Sequence, residues 1–196
     1  MKKIIFLLLL VVSSLSYGQQ QIIKFPGFTS YWNPKTLIPD SVIWTIKKDL
    51  LEGHRTPRSN KFHSSGGRQN LKRDYANSGY DQGHNSPYDD NYYNDSAEYQ
   101  CFDYVNMFGQ LHVLNAQTWE RLEDYSRKIA LQYGSCKVKT SWSGIDKTIG
   151  QDKVVVPLYC QKQIWYNIGS TTVTEVYIMP NRDTVIKHPF LYYKVK

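Results

Sequence analysis

The tetrad Asp81-Gln82-Gly83-His84 carries the first of the side chains in this chain best suited to chemistry. The rest follow about twenty positions later, in Asn106-Met107, Asn115 and Trp119-Glu120-Arg121-Leu122-Glu123. An imidazole near neutral pKa can take a proton from an attacking water. A carboxamide oxygen such as that of Asn115 suits Mg2+, a hard cation that keeps several waters and takes few protein ligands. Glu123 could hold a metal-bound water or orient His84. Together these groups match hydrolysis assisted by one hard metal ion, and in a basic chain the substrate that fits best is nucleic acid.

Each residue also has a plainer reading. His84 could be a structural histidine, hydrogen-bonded in a loop beside Gly83, whose missing side chain permits a tight bend. Asn115 could be a helix N-cap, a rigid position that is compatible with metal binding. Glu123 could form a surface ion pair with Arg127 at i+4. Asn106 ends a strand and could position the site or satisfy turn backbone. Asp81 could orient a neighbour, although a turn role suits it better. The run Asp89-Asp90-Asn91 with Asn94-Asp95 lacks the central glycine and closing glutamate of an EF-hand and reads as a solvated loop.

These groups need elements to aim them. Asn115 to Tyr133 is the strongest helix, ended by Gly134, with Trp119, Leu122, Ile129 and Tyr133 as its apolar face. At about 100° per residue, Asn115 falls between Leu122 and Trp119, and Glu123 sits just beyond Trp119. Unpaired burial there would cost roughly 1–3 kcal/mol per group, so both require partners. Tyr99 to Phe108 has strand character. Ser41 to Leu51 reads as a strand rather than a short helix because of its β-branched content. Residues 19 to 40 look irregular, interrupted by Pro26, Pro34 and Pro39, and Gly53 to Gly79 is a long basic loop. Val154 to Leu158, Val173 to Met179 and Val185 to Lys187 are predicted strands, with Pro180 to Asp183 a turn. Strands around one or two helices, in no strict alternation, predict an α+β architecture.

The ends and the composition bound the class. Lys2 and Lys3 precede an apolar run from Ile4 to Val12, then small and polar residues to Gly18. That run is shorter than the roughly 20 residues of a membrane span and has the layout of a secretory signal. Residues 1–18 are therefore expected to be a signal peptide, and 19–196 a single domain that is secreted or periplasmic, with no membrane association. Removing Lys2 and Lys3 from a formal charge of +7 leaves +5, which favours polyanions. Cys101, Cys136 and Cys160 allow one disulfide, for which Cys136 with Cys160 is the expected pair. No Cys-x-x-Cys or His-x-x-x-His pattern is present, which argues against zinc. The sixteen tyrosines suit either base stacking or the lining of sheets.

Taken together, the motifs resemble the DNA/RNA non-specific endonuclease family, with its ββα-metal (His-Me finger) site. The family's Asp-Arg-Gly-His run is similar to Asp81-Gln82-Gly83-His84, and its Thr-Asn-Met to Val105-Asn106-Met107. Its Gln-x-x-x-Leu-Asn-x-x-x-Trp-x-x-Leu-Glu is similar to the segment from Gln110 to Glu123, and Val156-Pro157 and Pro180-Asn181 match later elements. The similarity runs from about Trp44 to Asn181. It implies a central, mostly antiparallel sheet flanked by helices. It also implies His84 as general base, Asn115 as direct ligand of one Mg2+ (or Mn2+), Glu123 acting on that ion through water, and Asn106 fixing the site. The substrates implied are DNA and RNA, cut to 5′-phosphate products; no protein partner is implied. Arg58, with Arg55 in reserve, is the expected substrate contact. Gln82 stands where the family has arginine and brings no charge to the reacting phosphate, unless Arg68 or Arg73 compensates. Two other readings compete: a binding module on the same fold with hydrolysis lost through Gln82, and a nuclease toxin.

Overall fold

The computed structural model describes residues 19–66 and 69–196. Residues 1–18, the expected signal peptide, and Arg68 lie outside them. Six strands form one antiparallel sheet in the order β1-β2-β3-β6-β7-β8: β1 Gln21–Lys24, β2 Thr29–Asn33, β3 Ile38–Lys47, β6 Ser135–Ile149, β7 Val154–Ile168 and β8 Thr171–Pro180. A separate ladder pairs β4, Asp81–His84, with β5, Met107–Gln110. The helices are the short turns α1, Lys48–Leu51, and α2, Lys72–Tyr75, then α3, Asp95–Cys101, and the long α4, Glu120–Tyr133. This is the expected α+β arrangement.

Alternation builds the main sheet. In β3, Val42, Trp44 and Ile46 are buried while Thr45 and Lys47 are exposed, the period of two of a sheet packed on one face. In β6, Cys136, Val138 and Thr140 face the same way. Helix α4 lies on that inner face through Leu122, Ser126, Ile129 and Ala130, and Gly134 closes it at φ 90°. Tyr133, at its end, stacks on Tyr166 with ring centroids 5.2 Å apart.

Several local expectations fail for identifiable reasons. Residues 19 to 40 are not irregular: Pro26 and Pro34 sit in turns, and Pro39 pairs with Trp32 beside a β2–β3 irregularity. Tyr99 to Phe108 is not one strand. Asn94 accepts a hydrogen bond from the Ala97 amide at 2.8 Å and starts α3, leaving only Met107–Gln110 extended. Residues 185 to 187 belong to a 3-10 turn, Asp183–Lys187. The expected disulfide is absent, and all three cysteines are buried free thiols. On β7, Cys160 faces Trp142 of β6, six residues along the strand from Cys136. That is about 20 Å, far beyond a disulfide's Cα reach of roughly 7 Å. Among the described residues, no helix is long and apolar enough to cross a membrane.

Candidate active site

The hairpin of β4 and β5 delivers His84. His84 lies opposite Met107, and its ring packs edge-on to Phe102 at 5.0 Å, with Phe62 at 5.5 Å on another side. The ring keeps partial exposure, but Nε2 is sealed and has no hydrogen-bond partner. Burial, aided by the Arg58 charge, lowers its pKa to about 3. The imidazole is thus neutral at neutral pH. The need for glycine at 83 comes from packing, not from a special backbone angle: a Cβ there would overlap the buried Gln110 carboxamide.

Asn106 fixes the backbone that follows His84. It is fully buried, donates to Ser86 O and Cys101 O at 2.8 Å each, and accepts from Ser86 N at 2.9 Å. It does not line the cleft. Nor does Gln82, whose amide points to the Tyr104 hydroxyl at 3.4 Å. Arg73 is engaged by Asp152 at 2.6 Å and supplies no charge in the cleft to replace the missing arginine.

Asn115 is not a helix cap. The helix starts earlier, and Asn115 lies in a π-helical turn, Leu114–Trp119, that runs into α4. Wide turns of this kind recur at functional sites. Its Nδ2 donates to Asp81 Oδ2 at 3.0 Å, an oxygen also held by His112 Nδ1 at 2.9 Å. Asp81 is therefore an orienting carboxylate, and it leaves the Asn115 carbonyl oxygen for other partners.

Glu123 does not pair with Arg127. Its Oε1 accepts from Lys162 Nζ at 3.4 Å, and the lysine is 1% exposed with its ammonium 4.3 Å from the Trp119 ring centroid. Arg127 instead bridges Asp90, at 3.0 Å, and Asp124, at 2.6 Å. Asp90 and Asn91 are buried, so this acidic run is not a solvated loop, and Trp44 Nε1 donates to Asp90 at 2.8 Å. Burial raises the Glu123 pKa to about 7, against the opposing pull of Lys162 and Arg127. It likewise raises Asp90 and lowers Lys162.

One cleft of about 210 Å³ gathers His84, Asn115, Glu123 and Arg58, together with Asp89, Glu120 and Arg127. Arg58 lies over the rings of Tyr88 and Phe102, at 5.2 and 5.4 Å. Arg55 is tied to Asp89 at 2.9 Å instead. Sequence reasoning missed Glu120, because plain helical spacing places it about 140° from Asn115. The wider π-turn reduces that offset, and both residues line the cleft. Lys162 was also missed, although its signal is legible: it falls between buried Cys160 and Ile164 on an alternating strand.

The donor set suits a hard cation. A carboxamide oxygen freed by Asp81 and a carboxylate share the cleft, both of them the oxygen ligands that Mg2+ takes. Among the described residues no group of three or more His, Cys, Asp or Glu could enclose a metal, so water would complete most of the shell.

The comparisons with known proteins bear on the family and the fold. The family model for DNA/RNA non-specific endonuclease matches residues 9–196. Endonuclease G, mitochondrial, of Bos taurus is 25% identical over 84% of this chain and 62% of that protein. Nuclease EXOG, mitochondrial, of Xenopus laevis is 29% identical over 63% of this chain and 38% of that protein. The chain thus spans less than two thirds of the length of these relatives. A crystal structure of the EndoG/EndoGI complex superposes with a TM-score of 0.83, at 21% identity, covering 92% of this chain and 82% of that one. With the family model matched along nearly the whole chain, the chain belongs to the DNA/RNA non-specific endonuclease family.

Proposed function

We propose that this protein is a secreted or periplasmic, metal-dependent endonuclease that hydrolyses phosphodiester bonds of both DNA and RNA to 5′-phosphate products. The observation that carries this reading is the convergence of His84, Asn115, Glu123 and Arg58 on one cleft. His84 takes the proton from the water that attacks phosphorus. In the free protein its basicity is low, and the negative charge of an entering phosphate raises it toward a useful range. Arg58, exposed at the rim, meets the phosphate backbone, and Arg127 adds positive potential from the floor. Asn115 would hold Mg2+, or Mn2+ in its place, through its carbonyl oxygen, with Glu123 acting through water. When bound, the ion supplies Lewis-acid stabilisation of charge on the phosphate and the departing 3′ oxygen.

The absence of an arginine at position 82 keeps one alternative open: a nucleic-acid-binding protein with weak or lost hydrolysis. The retained cleft residues oppose it, since pure binding needs no base beside oxygen ligands. The deciding experiment is digestion of plasmid DNA and of RNA by residues 19–196, with Mg2+ and with EDTA, beside His84→Ala. Metal-dependent cutting of both, reduced at least about 10²-fold in the variant, is expected. Cutting that survives the substitution sinks the assignment. Cutting that appears only in Gln82→Arg selects the binding reading.

A further inference from the structure

The basic surplus of the chain does not lie in the cleft, where Arg58 and Arg127 are outnumbered by Asp89, Glu120 and Glu123. A group of lysines lies instead on the other side of the main sheet. Residues in register share a face, and successive residues alternate. Lys24 stands opposite Thr29, Thr29 opposite Ile43, and Ile43 opposite Lys139. Lys139 neighbours Val138, which is buried on the side that α4 covers. Lys137 pairs with Thr45 and Trp165, and Lys47 is two residues beyond Thr45. Lys24, Lys47, Lys137 and Lys139 therefore project from one outer face, which Trp165 and Tyr31 share.

Three of these lysines are exposed and Lys139 is half-buried. None of the four is in an ion pair among the described residues. The positions in register with them carry no Asp or Glu. Asp40 bounds the face at the β2–β3 irregularity, where its two oxygens accept from Gln20 and Asn33. Lys137 and Lys139 are about 7 Å apart along one strand. A sheet face with lysines outside any ion pair and two half-exposed aromatic rings suits contact with a phosphate backbone without regard to sequence.

We propose that this outer face is an accessory nucleic-acid surface, which holds one segment of a long polymer while another segment occupies the cleft. The proposal rests on the nuclease reading above. Its effect is one of effective concentration: a strand held behind the sheet is re-presented to the cleft before it diffuses away. A fragment too short to touch both faces gains nothing.

The test compares the parent protein with Lys137→Gln/Lys139→Gln on a tetranucleotide and on linear DNA of several hundred base pairs. On the tetranucleotide, kcat/KM is expected to stay within about twofold. On the long DNA at 50 mM salt, KM is expected to rise about tenfold. The slope of log KM against log salt should be about 1.8 shallower, the share of two phosphate contacts on duplex DNA. An unchanged KM on long DNA overturns the proposal, as does an equal loss on both substrates. If the parent cuts neither substrate, the nuclease reading has failed separately. Salt-dependent retention of long DNA, weakened in the double variant, then still supports the surface, and retention equal in both proteins overturns it. Binding to vesicles containing anionic lipid, without binding to DNA, assigns the face to a membrane and overturns the proposal.

Discussion

The ammonium of Lys162 is 3.4 Å from Glu123 Oε1 and buried to 1% exposure against Trp119, so the carboxylate of the cleft is held by a cation from beneath the helix. Asp90, which is buried, and Arg127, which is partly exposed, complete a group of two carboxyls and two cations. Removing one member leaves the rest unbalanced. Lys162→Met should destabilise the fold by about 3–5 kcal/mol, the usual result of breaking a buried pair from one side. Adding Glu123→Gln should restore part of that loss, and urea unfolding of the two single variants and the double variant measures the coupling. Additive effects would show that the two side chains do not interact.

Asp81 sets the orientation of Asn115 by accepting from its amide nitrogen. Asp81→Ala frees the carboxamide to rotate and present nitrogen instead of oxygen to the cleft. Weakening of Mg2+ binding by about 10–100-fold is expected, the range for losing a partner behind a metal ligand. Calorimetric titration of Mg2+ reads it directly. Unchanged affinity would remove Asn115 from the list of ligands or show that its aim is fixed by other means.

How much of this was visible beforehand depended on whether local signals agreed with tertiary demands. Helix α4 was clear because Leu122, Ile129 and Gly134 follow helical period and capping chemistry together. The segment from Tyr99 misled because its aromatic and β-branched content suits a strand, whereas Asn94 and the acidic first turn of α3 were the stronger signal. Strands β1 and β2 were hidden by prolines that turned out to sit in turns or at an irregular register. His84 and Asn115 were named from motif and chemistry, and both line the cleft. The partners of Glu123 could not be read, since Lys162 arrives from β7, thirty-nine residues away.

Gly83 illustrates a backbone requirement with a testable source. Its φ is not positive, so the obstacle to a side chain is the Gln110 carboxamide packed against it. Gly83→Ala should cost about 1–3 kcal/mol through overpacking. Gly83→Ala/Gln110→Ala should recover most of it by opening the space. Thermal unfolding of both variants distinguishes this from a conformational requirement, under which the second substitution would give no relief.

The raised pKa of Glu123 predicts that metal binding depends on pH. An acid with a folded pKa of about 7 binds its proton more tightly in the folded state than unfolded. Its contribution to stability is therefore greatest below the ordinary carboxylate range and is lost as pH rises toward 7. Metal affinity runs the other way, because only the ionised carboxylate attracts the cation and its waters. Mg2+ affinity should level off above pH 8 and weaken by up to about tenfold per unit below pH 7, with proton release on binding near pH 6.5. His84, with its pKa near 3, takes no part in this window. Glu123→Gln should abolish both the proton release and the pH dependence, whereas His84→Ala should leave them in place. Calorimetry in two buffers of different ionisation enthalpy separates these outcomes. A parent protein whose Mg2+ affinity is flat from pH 6 to 8 would place Glu123 outside the ion's surroundings.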